Sequence, residues 1–143
     1  MKPVLFLRIA SILTFIHAAL HTIGGVFGKP GPGPATVAVA AMKTNSFLLM
    51  GNMRNYWEFY RGLGLGISIF LTAEAFVFWQ LGSLARTEAR RLRPILVTFF
   101  AAYAAFAVNS YFYFFNLPVI TEAVIAACLL LAFITAKSQA RLV

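Results

Sequence analysis

Apolar positions along this chain come in four long runs, and polar positions fall mostly between them or near their ends. A helix needs about 20 mostly apolar residues to cross the hydrocarbon core of a bilayer, where lipid offers the backbone no hydrogen-bond partner. The runs at 4–24, 56–81, 94–116 and 118–136 meet that length. The pattern therefore predicts an all-α integral membrane four-helix bundle, a single transmembrane domain over residues 1–143. Pro94 suits the first turn of a helix, where a missing N–H is no loss. Asn116-Leu117-Pro118 reads as a tight reversal that makes a helical hairpin of the last two spans. The connection GSLARTEARRLR is short and basic, whereas the outer loop, 25–55, is long and opens GKPGPGP, which cannot be helical. The stretch after it, ATVAVAAMKTNSFLLM, is too short to span and is interrupted by Lys43, Thr44 and Asn45; residues 35–50 read as a surface or re-entrant helix.

Composition reinforces the membrane assignment. With 61% hydrophobic and 11% charged residues, and a mean hydropathy of +0.82, a soluble domain of this size could not cover its apolar surface. The net charge of +8 comes from 12 Lys and Arg against four acids. These basic residues cluster between apolar runs and form no recognition face, which argues against nucleic acid as a partner. With four spans, Lys2, Arg8, Arg86, Arg90, Arg91, Arg93, Lys137 and Arg141 share one side, and Lys29, Lys43, Arg54 and Arg61 the other. The positive-inside rule then places both termini in the cytoplasm, with a bacterial inner membrane as the expected location. The opening 21 residues have the basic start and apolar stretch of a secretory leader, but His17 and His21 interrupt it, so it reads as a retained span. Cys128 is the single cysteine, which leaves no disulfide framework.

Against this background the ionisable residues within the spans stand out. Glu58, Glu74 and Glu122 fall inside spans or at their ends, where a charge is costly and usually faces a bundle interior or a wet cavity. At 1.5 Å of rise per residue, His17 and His21 lie roughly 10 and 5 Å below the outer end of the first span. Glu58 and Arg61, Asn109 and Tyr113, and Glu122 fall at similar depth on the other three. Thr14, His17 and His21 share one helix face, and Asn109, Tyr113 and Asn116 share another. These stripes are expected to turn inward around a polar chamber in the outer half of the bilayer. Glu74 does not fit, being deeper and on nearly the opposite face from Glu58.

Several functions fit such a chamber. One is a binding site for a small lipophilic ligand or substrate. In that reading His17, His21, Glu58 and Glu122 are candidate acid–base groups, and Trp57, Arg61, Asn109 and Tyr113 candidate ligand contacts. A second is a structural or accessory subunit of a homo-oligomer or larger membrane complex, with the same residues merely pairing helices. A third is a metal site, since imidazoles at i and i+4 share a helix face, although HAALH lacks the glutamate of the usual zinc motif. Haem fits poorly, because two histidines on one face cannot sit trans on one iron. Transport of a small ion or solute is a further alternative, without the broken spans or inverted repeats that mark transporters. The sequence does not identify a cofactor. Gly62, Gly64 and Gly66 lack Walker or Rossmann spacing; Gly62 and Gly66 read as a small-xxx-small pair for helix approach. The run YFYFF, Tyr111 to Phe115, reads as an interfacial aromatic belt.

Through HTIGG, YWEFYRGLGLGISIFL and VNSYFYFF, the whole chain resembles small four-span bacterial inner-membrane proteins, DoxX-like in size and layout. That resemblance implies fold and location, with no settled activity attached. IHAALH with a later glutamate and asparagine is also similar, more distantly, to the emopamil-binding-protein type of sterol isomerase, whose membrane cavity uses histidine and acidic residues on lipophilic substrates.

Overall fold

The computed structural model describes residues 2–136, so the basic residues Lys137 and Arg141 lie outside the described residues. The protein is an all-α membrane protein. Four helical stretches, Lys2–Val26, Tyr56–Leu84, Ala89–Tyr113 and Asn116–Thr135, are long and apolar enough to cross a bilayer. Large apolar side chains on them lie at the surface, among them Leu63, Ile69, Phe70 and Val108, and form the lipid-contacting exterior.

The elements are α1 (Lys2–Leu20), a π-helical turn (His21–Val26), α2 (Pro34–Thr44), β1 (Ser46–Leu49), β2 (Asn52–Asn55), α3 (Tyr56–Leu84), a 3₁₀ turn (Ala89–Leu92), α4 (Arg93–Tyr113) and α5 (Asn116–Thr135). Two compact units divide them. One contains residues 2–17 and 71–136, the other residues 18–70, so α1 and α3 each contribute to both.

The first unit is a helical bundle around a shared core. Leu7 and Ala10 of α1, Phe78 and Leu81 of α3, Leu96 and Tyr103 of α4, and Ile125, Leu129 and Ala132 of α5 are buried together. Phe78 meets Phe99 edge-on at 4.9 Å between ring centroids. The alanines matter because lipid supplies no hydrophobic drive between helices, so close approach must supply the dispersion contacts. The hairpin of α4 and α5 turns at Phe114 and Phe115, earlier than the expected Asn116-Leu117-Pro118 reversal. Pro118 instead lies in the first turn of α5, where no intrahelical bond needs its N–H.

The second unit shows how the long loop is organised. Gly28 ends the first span: a Cβ there would collide with the Gly24 carbonyl oxygen. Pro34 then opens α2, and Asn45 closes it, its side-chain Nδ2 donating to the Ala41 carbonyl at 2.7 Å. Residues 35–50 are therefore only partly the surface or re-entrant helix expected from sequence. From Ser46 the chain forms an antiparallel hairpin pairing Ser46 with Asn55 and Leu49 with Asn52. Its two-residue turn, Met50-Gly51, has positive φ at both positions (48° and 81°), the geometry that matches strand twist.

Candidate functional site

Each unit holds polar side chains, and the structure distributes the sequence candidates between them. His17, Asn109, Tyr113 and Glu122 belong to the first unit; His21, Trp57, Glu58 and Arg61 to the second.

In the first unit a polar cluster lies inside the apolar bundle. Tyr103 of α4, 1% exposed, donates its hydroxyl proton to Glu74 Oε2 of α3 at 2.7 Å. Because that hydroxyl has one proton, Thr14 of α1 is the donor in the 3.3 Å contact between Thr14 Oγ1 and Tyr103 Oη. One turn away on α1, Ser11 Oγ donates to the Ala75 carbonyl at 2.7 Å. Glu122 of α5, 6% exposed, is hydrogen-bonded to Ser110 of α4 and lies within electrostatic range of Tyr103. Its second oxygen, Oε2, is buried with no hydrogen-bond partner. One carboxyl group is thus bonded to the phenol and a second lies within electrostatic range of it, the three groups coming from three helices.

This cluster differs from the expected stripe on α4. Asn109 and Tyr113 are exposed rather than turned inward, and Ser110 is the buried polar residue of that helix. The cause is phase: Leu96, Tyr103 and Ser110 are all buried and repeat every seven residues. Seven residues is close to two turns, so Asn109 sits about 100° off that face. Glu74, left over by the depth argument, is a central member. Nothing in the sequence singles out Tyr103 or Ser110: neither is ionisable near neutral pH, and apolar residues on every side of α4 leave their seven-residue spacing undistinguished.

In the second unit, His21 Nδ1 lies 3.0 Å from Ser68 Oγ of α3, and Ser68 Oγ donates to the Gly64 carbonyl at 3.2 Å. The π turn at His21–Val26 is closed by Phe27 N donating to the Thr22 carbonyl at 3.0 Å, while the Thr22 hydroxyl bonds back to the Ala18 carbonyl. Widened turns of this kind recur at functional sites. It sets buried Val26 against Gly64, where an added Cβ would come within 3.0 Å of Val26 Cγ2. At Gly62 and Gly66, expected to be the close-approach pair, an added Cβ would meet nothing within 4 Å. Gly64 between them makes the contact instead, because it is the glycine that faces Val26.

Other second-unit candidates have structural partners. Glu58 N donates to the Asn55 side-chain oxygen at 2.8 Å, and Glu58 Oε2 accepts from Asn55 N at 3.1 Å. This reciprocal capping box starts α3. No Glu58–Arg61 ion pair forms among the described residues. The Arg61 guanidinium lies over the Phe27 ring at 4.8 Å; Trp57 stacks on Tyr60 at 5.6 Å, with Lys43 Nζ 5.5 Å from the indole. An open groove of about 510 Å³ runs between the hairpin and the start of α3, with Leu49, Arg54, Glu58 and Leu63 in its walls. Among the described residues no group of three or more His, Cys, Asp or Glu side chains is assembled to hold a metal.

No protein-family model matches the chain, and no solved structure matches it. In an 87-residue alignment that covers 57% of the chain, it is 33% identical to a protein named aquaporin-5 from Botryotinia fuckeliana (strain B05.10). The similarity spans 22% of that protein's length.

Proposed function

We propose that this membrane protein binds a small lipophilic ligand or substrate at the polar cluster of its first unit, with Glu122 and Glu74 as the polar contacts. The observation that carries this reading is Glu122: buried in an apolar bundle, held on one side by Ser110, and left with an unpartnered oxygen. Such a group is expensive unless something satisfies it, and intramembrane ionisable groups are a default mark of function. His17, in the same unit, is the candidate for proton exchange with a bound substrate. The excess of basic residues on the side of the termini supports a bacterial inner membrane with cytoplasmic ends, as does the resemblance to DoxX-like four-span proteins. The aquaporin similarity supports the membrane setting and brings no chemistry to the proposal.

The test is mass spectrometry of lipophilic compounds extracted from the purified protein. Wild type should carry a compound that is depleted in Glu122→Gln and Glu74→Gln, with both variants still folded by circular dichroism. An identical complement in all three would overturn the reading.

One set of observations favours a second reading, that of an accessory subunit. Glu58 is occupied in a capping box, and Asn109 and Tyr113 face outward on α4, where a partner helix would satisfy them. Under this reading Asn109→Leu would release a co-purifying protein without changing the lipophilic complement.

A further inference from the structure

With its two carboxyl groups ionised, the polar cluster of the first unit has more hydrogen-bond acceptors than donors. Thr14 spends its hydroxyl proton on Tyr103, Tyr103 spends its own on Glu74, and Ser110 is bonded to Glu122. Two of those three hydroxyls, of Tyr103 and Ser110, serve the two carboxyl groups, which when ionised offer about eight lone-pair positions between them. Glu122 Oε2 has no partner at all. No arginine or lysine compensates: among the described residues neither Glu74 nor Glu122 is ion-paired with one. Arg8, on the same helix as Thr14, is committed to Ser83 Oγ at 2.9 Å and to the face of Trp79 at 3.5 Å. Ser83 lies nine residues along α3 from Glu74, about 14 Å at helical rise.

Beside Glu74 in the sequence there is also an apolar groove, whose lining includes neither Glu74 nor Glu122. An open groove of about 360 Å³ is formed by Ser11, Ile12, Phe15, Ala75, Phe76 and their neighbours on α1 and α3. Its residues Ser11 and Ala75 are one turn from Thr14 and next to Glu74 in the chain.

We propose that the occupant is a lipophilic organic cation: a protonated amine on an apolar body, with the ammonium recognised by the Glu122 and Glu74 carboxyl groups. This rests on the reading that the cluster binds a lipophilic ligand, and it fixes the chemistry of the ligand's polar end. An ammonium supplies both missing quantities, positive charge and N–H donors, where an alcohol supplies one donor and a fatty acid adds a third carboxyl.

Decylamine, decanol and decanoic acid share an alkyl chain and differ in the head, so they separate these cases. Each is titrated into protein in nanodiscs of zwitterionic lipid, with the thermal unfolding midpoint as readout. Decylamine should raise the midpoint of the wild type, the other two should not, and Glu122→Gln or Glu74→Gln should weaken the amine effect roughly tenfold in apparent affinity. If one variant fails to fold, the other carries the comparison. Equal, Glu122-dependent stabilisation by decanol would overturn the cation and leave the lipophilic site standing. No shift with any probe, or a decylamine shift that survives both substitutions, would overturn both.

Discussion

Tyr103 is the residue on which the polar cluster turns, since it accepts from Thr14 and donates to Glu74 within an apolar bundle. Tyr103→Phe keeps the ring and its packing against Phe78 but strands both partners. It should cost about 1–3 kcal/mol in unfolding measurements, the penalty for leaving buried polar groups unsatisfied. Asn109→Leu, on the outward face of the same helix, should change stability by less than about 0.5 kcal/mol. The contrast shows what was legible at this scale. The sequence marks Glu122 as an expensive group in an apolar run, and the structure buries it. It does not mark Tyr103, because a tyrosine in such a run reads equally well as core or interfacial belt. Nor does it fix the phase of α4, where apolar residues on every side leave no face distinguished.

At the scale of elements, the four spans follow from run length and breakers, and their ends shift by a few residues where local chemistry decides. Glu58 illustrates this: its sequence position suggests a chamber acid, while its two bonds to Asn55 make it the end of a helix. Asn55→Ala should therefore destabilise the protein by about 1 kcal/mol, as loss of an N-cap does. The β-hairpin escaped the sequence reading because Met50 occupies a left-handed position usually held by asparagine, aspartate or glycine. Gly64 gives the sharper test of packing. Gly64→Ala forces a methyl against Val26 and should cost about 1–3 kcal/mol, and adding Val26→Ala should recover part of that loss. Gly62→Ala and Gly66→Ala meet open space and should be tolerated. Equal sensitivity at all three glycines, measured by unfolding midpoints, would contradict this assignment.

For the whole molecule, charge asymmetry predicts orientation. In a Cys128→Ala background, Gly31→Cys should react with a membrane-impermeant maleimide in intact cells, and Arg90→Cys only after lysis; the reverse pattern would invert the topology. Membrane embedding was legible because apolar run length alone decides it. The meeting of Glu74, Tyr103 and Glu122 was not, because it depends on the rotation of three helices that are apolar nearly all round. The central claim is that these carboxyl groups are kept for a ligand rather than for the fold. Buried ionisable groups kept for function cost stability, so their isosteric removal should not harm the scaffold. The most direct measurement is the unfolding midpoint of the ligand-stripped double variant Glu74→Gln/Glu122→Gln. The account predicts a folded protein with a midpoint at or above that of stripped wild type, and collapse or a large fall in the midpoint would contradict it.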